Sequence, residues 1–162
     1  MRTGLAAVAL AGALAACSSS ATDGTAASVA ATEPARHPVS GLQVIPLAVT
    51  HDGKRHEFRV EVARSAFEQA KGLMFRTGMG GDEGMLFPME PPRKASFWMK
   101  NTVIPLDIIF VGTDRRIINI AANAVPYSEE NLEAQGQTLA VLELNGGRAA
   151  ELGIGPGDKV EW

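Results

Sequence analysis

IPLDIIFVGTDRRIINIAA, residues 104–122, is the stretch whose reading decides the fold class. Two runs rich in Ile and Val, Ile104 to Val111 and Arg116 to Ala122, flank the polar segment Gly112-Thr113-Asp114-Arg115. β-branched and aromatic side chains suit a pleated, half-buried surface. Two such runs around a short turn predict a hairpin. The first run is apolar on both faces, yet it carries Asp107 between Leu106 and Ile108. Strict alternation puts Asp107 on the face of Ile109 and Val111.

Strand signals continue outward in both directions. Gly84 to Met89 and Ala95 to Lys100 precede the hairpin, and Leu42 to Thr50 and Arg55 to Val62 flank His51-Asp52-Gly53-Lys54 further upstream. Asp-Gly is a strong hairpin turn, while Pro46 demotes its own run to an edge or bulged strand. Between these strands, Ser65-Ala66-Phe67-Glu68 has the capping-box pattern, in which the two side chains satisfy each other's orphan amides. Phe67, Ala70, Leu73 and Met74 then recur at helical spacing, which predicts a helix of about ten residues running to near Phe75. The glycine-rich loop at 77–81 stops it. Downstream, a polar loop from Asn123 to about Gln137 leads to a strand over Thr138 to Leu144 and a short helix over Gly147 to Leu152. A turn at Gly155-Pro156-Gly157-Asp158 opens a last strand ending at Trp162. The expected fold class is α+β: a single domain over 42–162 with a mostly antiparallel, barrel-like sheet and two short helices.

The first forty residues differ in kind. Arg2 precedes the uncharged apolar run Gly4 to Ala13. That run is too short to span a ~30 Å bilayer but fits the apolar region of an export signal. Leu14-Ala15-Ala16-Cys17 then resembles the bacterial lipobox, in which the cysteine thiol is diacylated and the chain is cut before it. Cys17 is the only cysteine of the chain, and oxidising compartments favour pairs, so lipidation gives the lone thiol a role. Two or more acyl chains make a durable anchor. The expectation is a signal peptide over 1–16, a palmitate-type anchor on Cys17 and a flexible spacer to residue 41, built from Ser, Ala, Thr and Gly with Pro34 and Pro38. The partner is then a membrane and the location extracytoplasmic. Ser18 after Cys17 favours the periplasmic face of the outer membrane where the host has one, and otherwise the outer face of the cell membrane. The formal charge is −3 and no basic cluster occurs, which argues against nucleic acid as a partner.

Five segments occur in order: Gly72-Leu73-Met74-Phe75-Arg76, Gly84-Met85-Leu86-Phe87, Phe97-Trp98-Met99-Lys100-Asn101-Thr102, Pro105-Leu106-Asp107-Ile108-Ile109-Phe110 and Leu142-Glu143-Leu144-Asn145-Gly146-Gly147. Together they resemble the DUF192 family, also called UPF0127, over roughly Phe58 to Val160. The resemblance implies a strand-rich single domain, often exported, with no established activity.

Most familiar enzyme classes fall away on composition. Lipidation of Cys17 leaves no thiol nucleophile and no disulfide. Of the three histidines, His37 lies in the spacer and His51 in a turn, so only His56 is placed to serve a Ser-His-Asp triad, and no carboxylate or serine pattern marks it. There is no phosphate loop or dinucleotide fingerprint, and no cofactor is expected.

What remains is a set of polar residues among apolar strands. Asp107, Glu143 (on the face of Val141 and Asn145) and Asn101 are such residues, and a buried carboxylate needs a partner. Arg76, at the predicted helix end, is the natural partner of Asp107. Three readings stay open. In the first, Asp107, Glu143, Asn101 and Arg76 form a satisfied structural network. In the second, Arg76, Trp98, Asn101, Thr102, Asp107, Glu143 and Asn145 line a polar cleft for a small glycan- or peptide-like ligand. In the third, Asp107 and Glu143 form an acid/base pair that cleaves cell-wall glycan. Met74, Met79, Met85, Met89 and Met99 fall in one short window, and thioethers are soft Cu(I) ligands. Most of them sit among Leu, Phe and Trp, where methionine is core filler, so no metal is assigned. The preferred reading is a non-enzymatic, lipid-anchored envelope module that binds a ligand or serves a structural role. The hydrolase stands second and a Met-rich Cu(I) protein lower.

Overall fold

The Asp-Gly turn forms as its chemistry dictates: Asp52 and Gly53 both take positive φ, and His51 faces Lys54 across it. The strands it joins, β1 (Val44–His51) and β2 (Lys54–Val62), pair antiparallel in the computed structural model, which describes residues 35–162. The expected export signal, Cys17 and the expected spacer as far as residue 34 lie outside the described residues. The spacer's last seven residues, 35–41, are folded onto the domain, contrary to the sequence reading. Val44 N–H donates to Ala35 O at 2.7 Å and His37 N–H to Leu42 O at 2.8 Å. The hydroxyl of Ser40 donates to the Glu61 carboxylate.

The capping box is made in full. Glu68 N–H donates to Ser65 Oγ at 3.2 Å, and the Glu68 carboxylate accepts from Ser65 N–H at 2.8 Å. The helix it opens, α1 (Ala66–Lys71), is shorter than its apolar spacing predicts. Gly72, at φ 45° and ψ −132°, turns the chain after Lys71. Leu73 is carried into the core, while Phe67 and Phe75 are left exposed. β3 (Glu83–Arg93) then returns parallel to β2, the crossover that a helix between parallel strands permits. Gly84 opens the β3 contact. A Cβ there would lie 2.5 Å from Glu143 O, so only glycine lets β3 approach its next neighbour so closely.

The remaining elements are β4 (Ser96–Phe97), β5 (Leu106–Gly112), β6 (Ile117–Ala124), β7 (Leu132–Glu133), β8 (Thr138–Asn145), α2 (Arg148–Leu152) and β9 (Lys159–Glu161). Seven strands form one sheet in the order β6-β5-β8-β3-β2-β1-β9, while β4 and β7 make a separate two-stranded ribbon. The expected β5–β6 hairpin is present. The expectation of a barrel-like sheet is overstated. The outer strands β6 and β9 meet only through a bridge at Arg116 and Lys159, flanked by Ile117 N–H to Asp158 O and Val160 N–H to Arg115 O. β9 has three residues, too few to supply a closing ladder.

Alternation sorts each central strand between two apolar layers. Leu86, Ile109, Val111, Ala140, Leu142 and Leu144 join the layer that also holds Ala149 of α2. Met85, Phe87, Met89, Ile108, Phe110 and Val141 face the other layer, which is covered by Leu73, Ala95 and Met99 from the α1 and β4 segments. Among the described residues no helix is long and apolar enough to cross a membrane.

Candidate functional site

Glu143 occupies the centre of the second layer. On β8 it alternates with Leu142 and Leu144, so it shares the face of Val141 and lies between Met85 of β3 and Ile108 of β5 in the sheet register. It is 4 % exposed, and its Oε2 has no hydrogen-bond partner among the described residues. Burial among apolar side chains disfavours the charged form and pushes its carboxyl up to about 8. A buried polar atom without a partner is uncommon enough to require an explanation.

Glu143 lines a cleft of about 260 Å³, into which the turn after α1 and the segment around β4 also project. The walls are apolar: Leu73, Met74, Phe87, Met89 and Phe97. Phe97 meets Phe87 edge-on, with ring centroids 5.0 Å apart at 84°, and Phe110 at 6.4 Å, which fixes that wall. Trp98 stands at the mouth, 45 % exposed, with Lys100 Nζ 5.1 Å from its ring centroid. Buried Thr102 anchors the Lys100 carbonyl through its hydroxyl at 3.3 Å. Lys71, Arg93 and Lys100 also line the cleft, and Glu143 is the one carboxyl among its lining residues.

The loops framing the cleft carry unusual backbone. Phe75 and Asn101 adopt φ of 63° and 55°, and Phe75 N–H donates to Asn101 O at 2.9 Å. Tyr127, at φ 62°, donates its N–H to Thr102 O at 3.1 Å. Left-handed conformations of this kind are costly for aromatic residues and cluster at functional sites.

The structure gathers Trp98, Thr102 and Glu143 and sends the other expected site residues elsewhere. Asp107 is fully buried on the opposite face of the sheet. Its Oδ1 accepts from Asn123 N–H and Gly147 N–H, both at 2.9 Å, and its Oδ2 accepts from Ala149 N–H at 2.8 Å. Gly147 has no side chain with which to cap α2, so Asp107 satisfies that helix start from the neighbouring strand. In the antiparallel register Asp107 faces Leu144 and Ile108 faces Glu143, so the two carboxyls point to opposite layers. The expected acid/base pair of Asp107 and Glu143 is therefore not assembled.

Arg76 does not pair with Asp107 either, which corrects the sequence reading. It grips Glu61 through Nη1 at 2.9 Å and Nη2 at 3.1 Å, and Ser40 and His37 converge on the same carboxylate. Nothing in the sequence marks Glu61 as that partner; it lies 15 residues before Arg76 on a different element. Asn145 pins the glycine-rich loop, donating to Met79 O at 3.2 Å and Gly80 O at 2.8 Å. The Asn101 side chain reaches Met74 Sδ at 3.8 Å and lies outside the cleft lining. His56 is on β2 with Phe58 and Val60, the face opposite Glu143, and burial lowers its pKa. Met85, Met89 and Met99 are core residues. Lys71 and Arg93 were missed because no local pattern distinguishes a cleft-lining cation from any other exposed one.

The chain is similar to a protein of unknown function from Novosphingobium aromaticivorans, with 68% identity over 82% of this chain and 94% of that one and a TM-score of 0.79. It is also similar to a Sinorhizobium meliloti protein described as a proposed transcription regulator, with 39% identity over 74% of this chain and 94% of that one and a TM-score of 0.72. No curated protein matches it. A family model described as an uncharacterized ACR matches residues 47–162, most of the chain and nearly all of the described sheet, and the chain belongs to that family, DUF192.

Proposed function

We propose that this protein is a lipid-anchored envelope module, held to a membrane through Cys17, that binds a small glycan- or peptide-like ligand in the Glu143 cleft and does not transform it chemically. The observation that carries the reading is the unpartnered Glu143 Oε2, 4 % exposed as a residue, in a cleft whose mouth presents Trp98. A buried polar atom of this kind costs stability until something donates to it or accepts from it, and a ligand does so. Binding is favoured over catalysis because the cleft has one carboxyl, with no second carboxyl and no histidine among its lining residues. The regulator description of the Sinorhizobium relative finds little support in the charge of this chain, which is −3 overall.

Two measurements test the proposal. Labelled palmitate should enter the wild-type protein and not a Cys17→Ala variant; release of a soluble mature form without palmitate would remove the anchor. For the cleft, chitotriose and short peptides serve as probes. Their binding to the full chain should shift the Trp98 indole resonance and fall when Glu143 is changed to Leu. Binding unaffected by Glu143→Leu would place the ligand elsewhere, and turnover of a probe would make the protein an enzyme.

A further inference from the structure

The cleft has two chemical levels, and they specify its guest more closely. At the floor, Glu143 is surrounded by Met85, Ile108, Phe87 and other apolar groups. At the rim stand Lys71, Arg93 and Lys100. Beside the Trp98 ring, Lys100 has one loose carboxylate partner among the described residues, Glu129 at 3.5 Å. Lys71 and Arg93 make no ion pair among the described residues, although seven other Lys or Arg contacts with carboxylates occur there. Burial among the apolar groups of the floor raises the Glu143 pKa. Lys71 and Arg93 are exposed at the mouth, while the floor carboxyl, raised to about 8, is protonated at neutral pH. A protonated carboxyl donates one hydrogen bond.

We infer that the cleft takes a small amphipathic carboxylate: an apolar or aromatic body between Trp98, Phe97 and Met74, an uncharged oxygen acceptor meeting the floor carboxyl of Glu143, and a carboxylate held by Lys71, Arg93 and Lys100. This rests on the cleft being the binding site, as proposed above, and names the class of guest. The volume of about 260 Å³ lies just under the ~300–1,000 Å³ of sites for drug-sized molecules, so the guest is a compact acid and not a long chain. Two unpaired cations at the mouth also raise the local concentration of anions.

The test uses three matched probes: 3-benzoylpropionate, which has the phenyl body, the carbonyl and the carboxylate; its primary amide, which lacks the charge; and 4-phenylbutyrate, which lacks the carbonyl. Each is titrated by calorimetry into the full mature protein in nanodiscs, with empty nanodiscs as blank. We expect 3-benzoylpropionate to bind, the amide to bind at least tenfold more weakly and 4-phenylbutyrate several-fold more weakly. Lys71→Gln with Arg93→Gln, both exposed, should abolish the preference for acid over amide. Glu143→Gln still offers an N–H donor and should keep affinity within about threefold. Above pH 8 the wild type should lose affinity as Glu143 gives up its proton, and the Gln variant, whose amide does not titrate, should not. Equal binding of acid and amide, or pH loss shared by the Gln variant, overturns the inference. If all three probes fail while chitotriose or an Ala-Ala-Phe peptide binds and depends on Glu143, the guest class is wrong and the cleft stands. If no probe depends on Glu143, both readings fall.

Discussion

Asp107 and Glu143 are buried carboxyls on adjacent strands, one register step apart, and they meet opposite fates. Asp107 faces the α2 layer and accepts three backbone hydrogen bonds. Glu143 faces the layer roofed by the α1 and β4 segments and has a buried oxygen with no partner among the described residues. Burial is common to both, so burial does not mark the site. What separates them is whether the surrounding backbone has orphan N–H groups to offer. The face with a helix start does; the face covered by apolar side chains does not.

The largest effect should come from breaking the satisfied side. Asp107→Ala leaves the N–H groups of Asn123, Gly147 and Ala149 with nothing to bond, and buried orphans cost ~1–3 kcal/mol each. A loss of about 3–5 kcal/mol is expected in denaturant melts, a large share of the ~5–15 kcal/mol that holds a domain. A near-neutral Asp107→Ala would mean that water replaces the carboxylate and that the contrast between the two faces is false.

Next is the pH dependence of the other face. Glu143 has its folded pKa raised from 4.5 to about 8, so the folded state holds a proton that the unfolded chain has released. That contribution to stability is fully present below about 4.5 and is lost as pH rises through 8. Against Glu143→Gln, whose amide does not titrate, the wild type should lose of the order of a few kcal/mol across that window. Parallel stability-against-pH curves for the two proteins would show that Glu143 is hydrated or paired in solution.

A smaller effect is expected at the rim of the domain, where Arg76 and Glu61 join the 35–41 segment to the turn after α1. Arg76→Ala leaves Glu61 to Ser40 and His37 and should cost about 2–3 kcal/mol, below the ~3–5 typical of a broken buried pair. A double-mutant cycle should show coupling between Arg76 and Glu61 and none between Arg76 and Asp107. Coupling to Asp107 would restore the sequence-based pairing. The smallest change should be Met89→Leu, a volume-conserving swap costing under ~1.5 kcal/mol, with no copper retained by the wild type after dialysis. Stoichiometric Cu(I) lost in that variant would give the methionines a second role.

The sequence by itself determined what local rules control. Period-2 alternation placed Glu143 with Val141 and Asn145 and set Asp107 on the face of Ile109; Asp52-Gly53 specified a turn, and Ser65 with Glu68 specified a helix start. These rules act across a few residues, and each feature is present in the fold. Three outcomes needed the tertiary structure. The pairing of β5 with β8, which sets Asp107 and Glu143 on opposite faces, joins residues 26 to 39 positions apart. The choice of Glu61 for Arg76 joins a strand to a loop after the next helix. The gap between the closing edges was decided by the length of β9. Alternation determines which residues share a face on one strand, but a shift of a single residue in register would exchange the layers of a whole strand. Only the packing of distant segments fixes that register, and with it which buried carboxyl finds backbone partners and which does not.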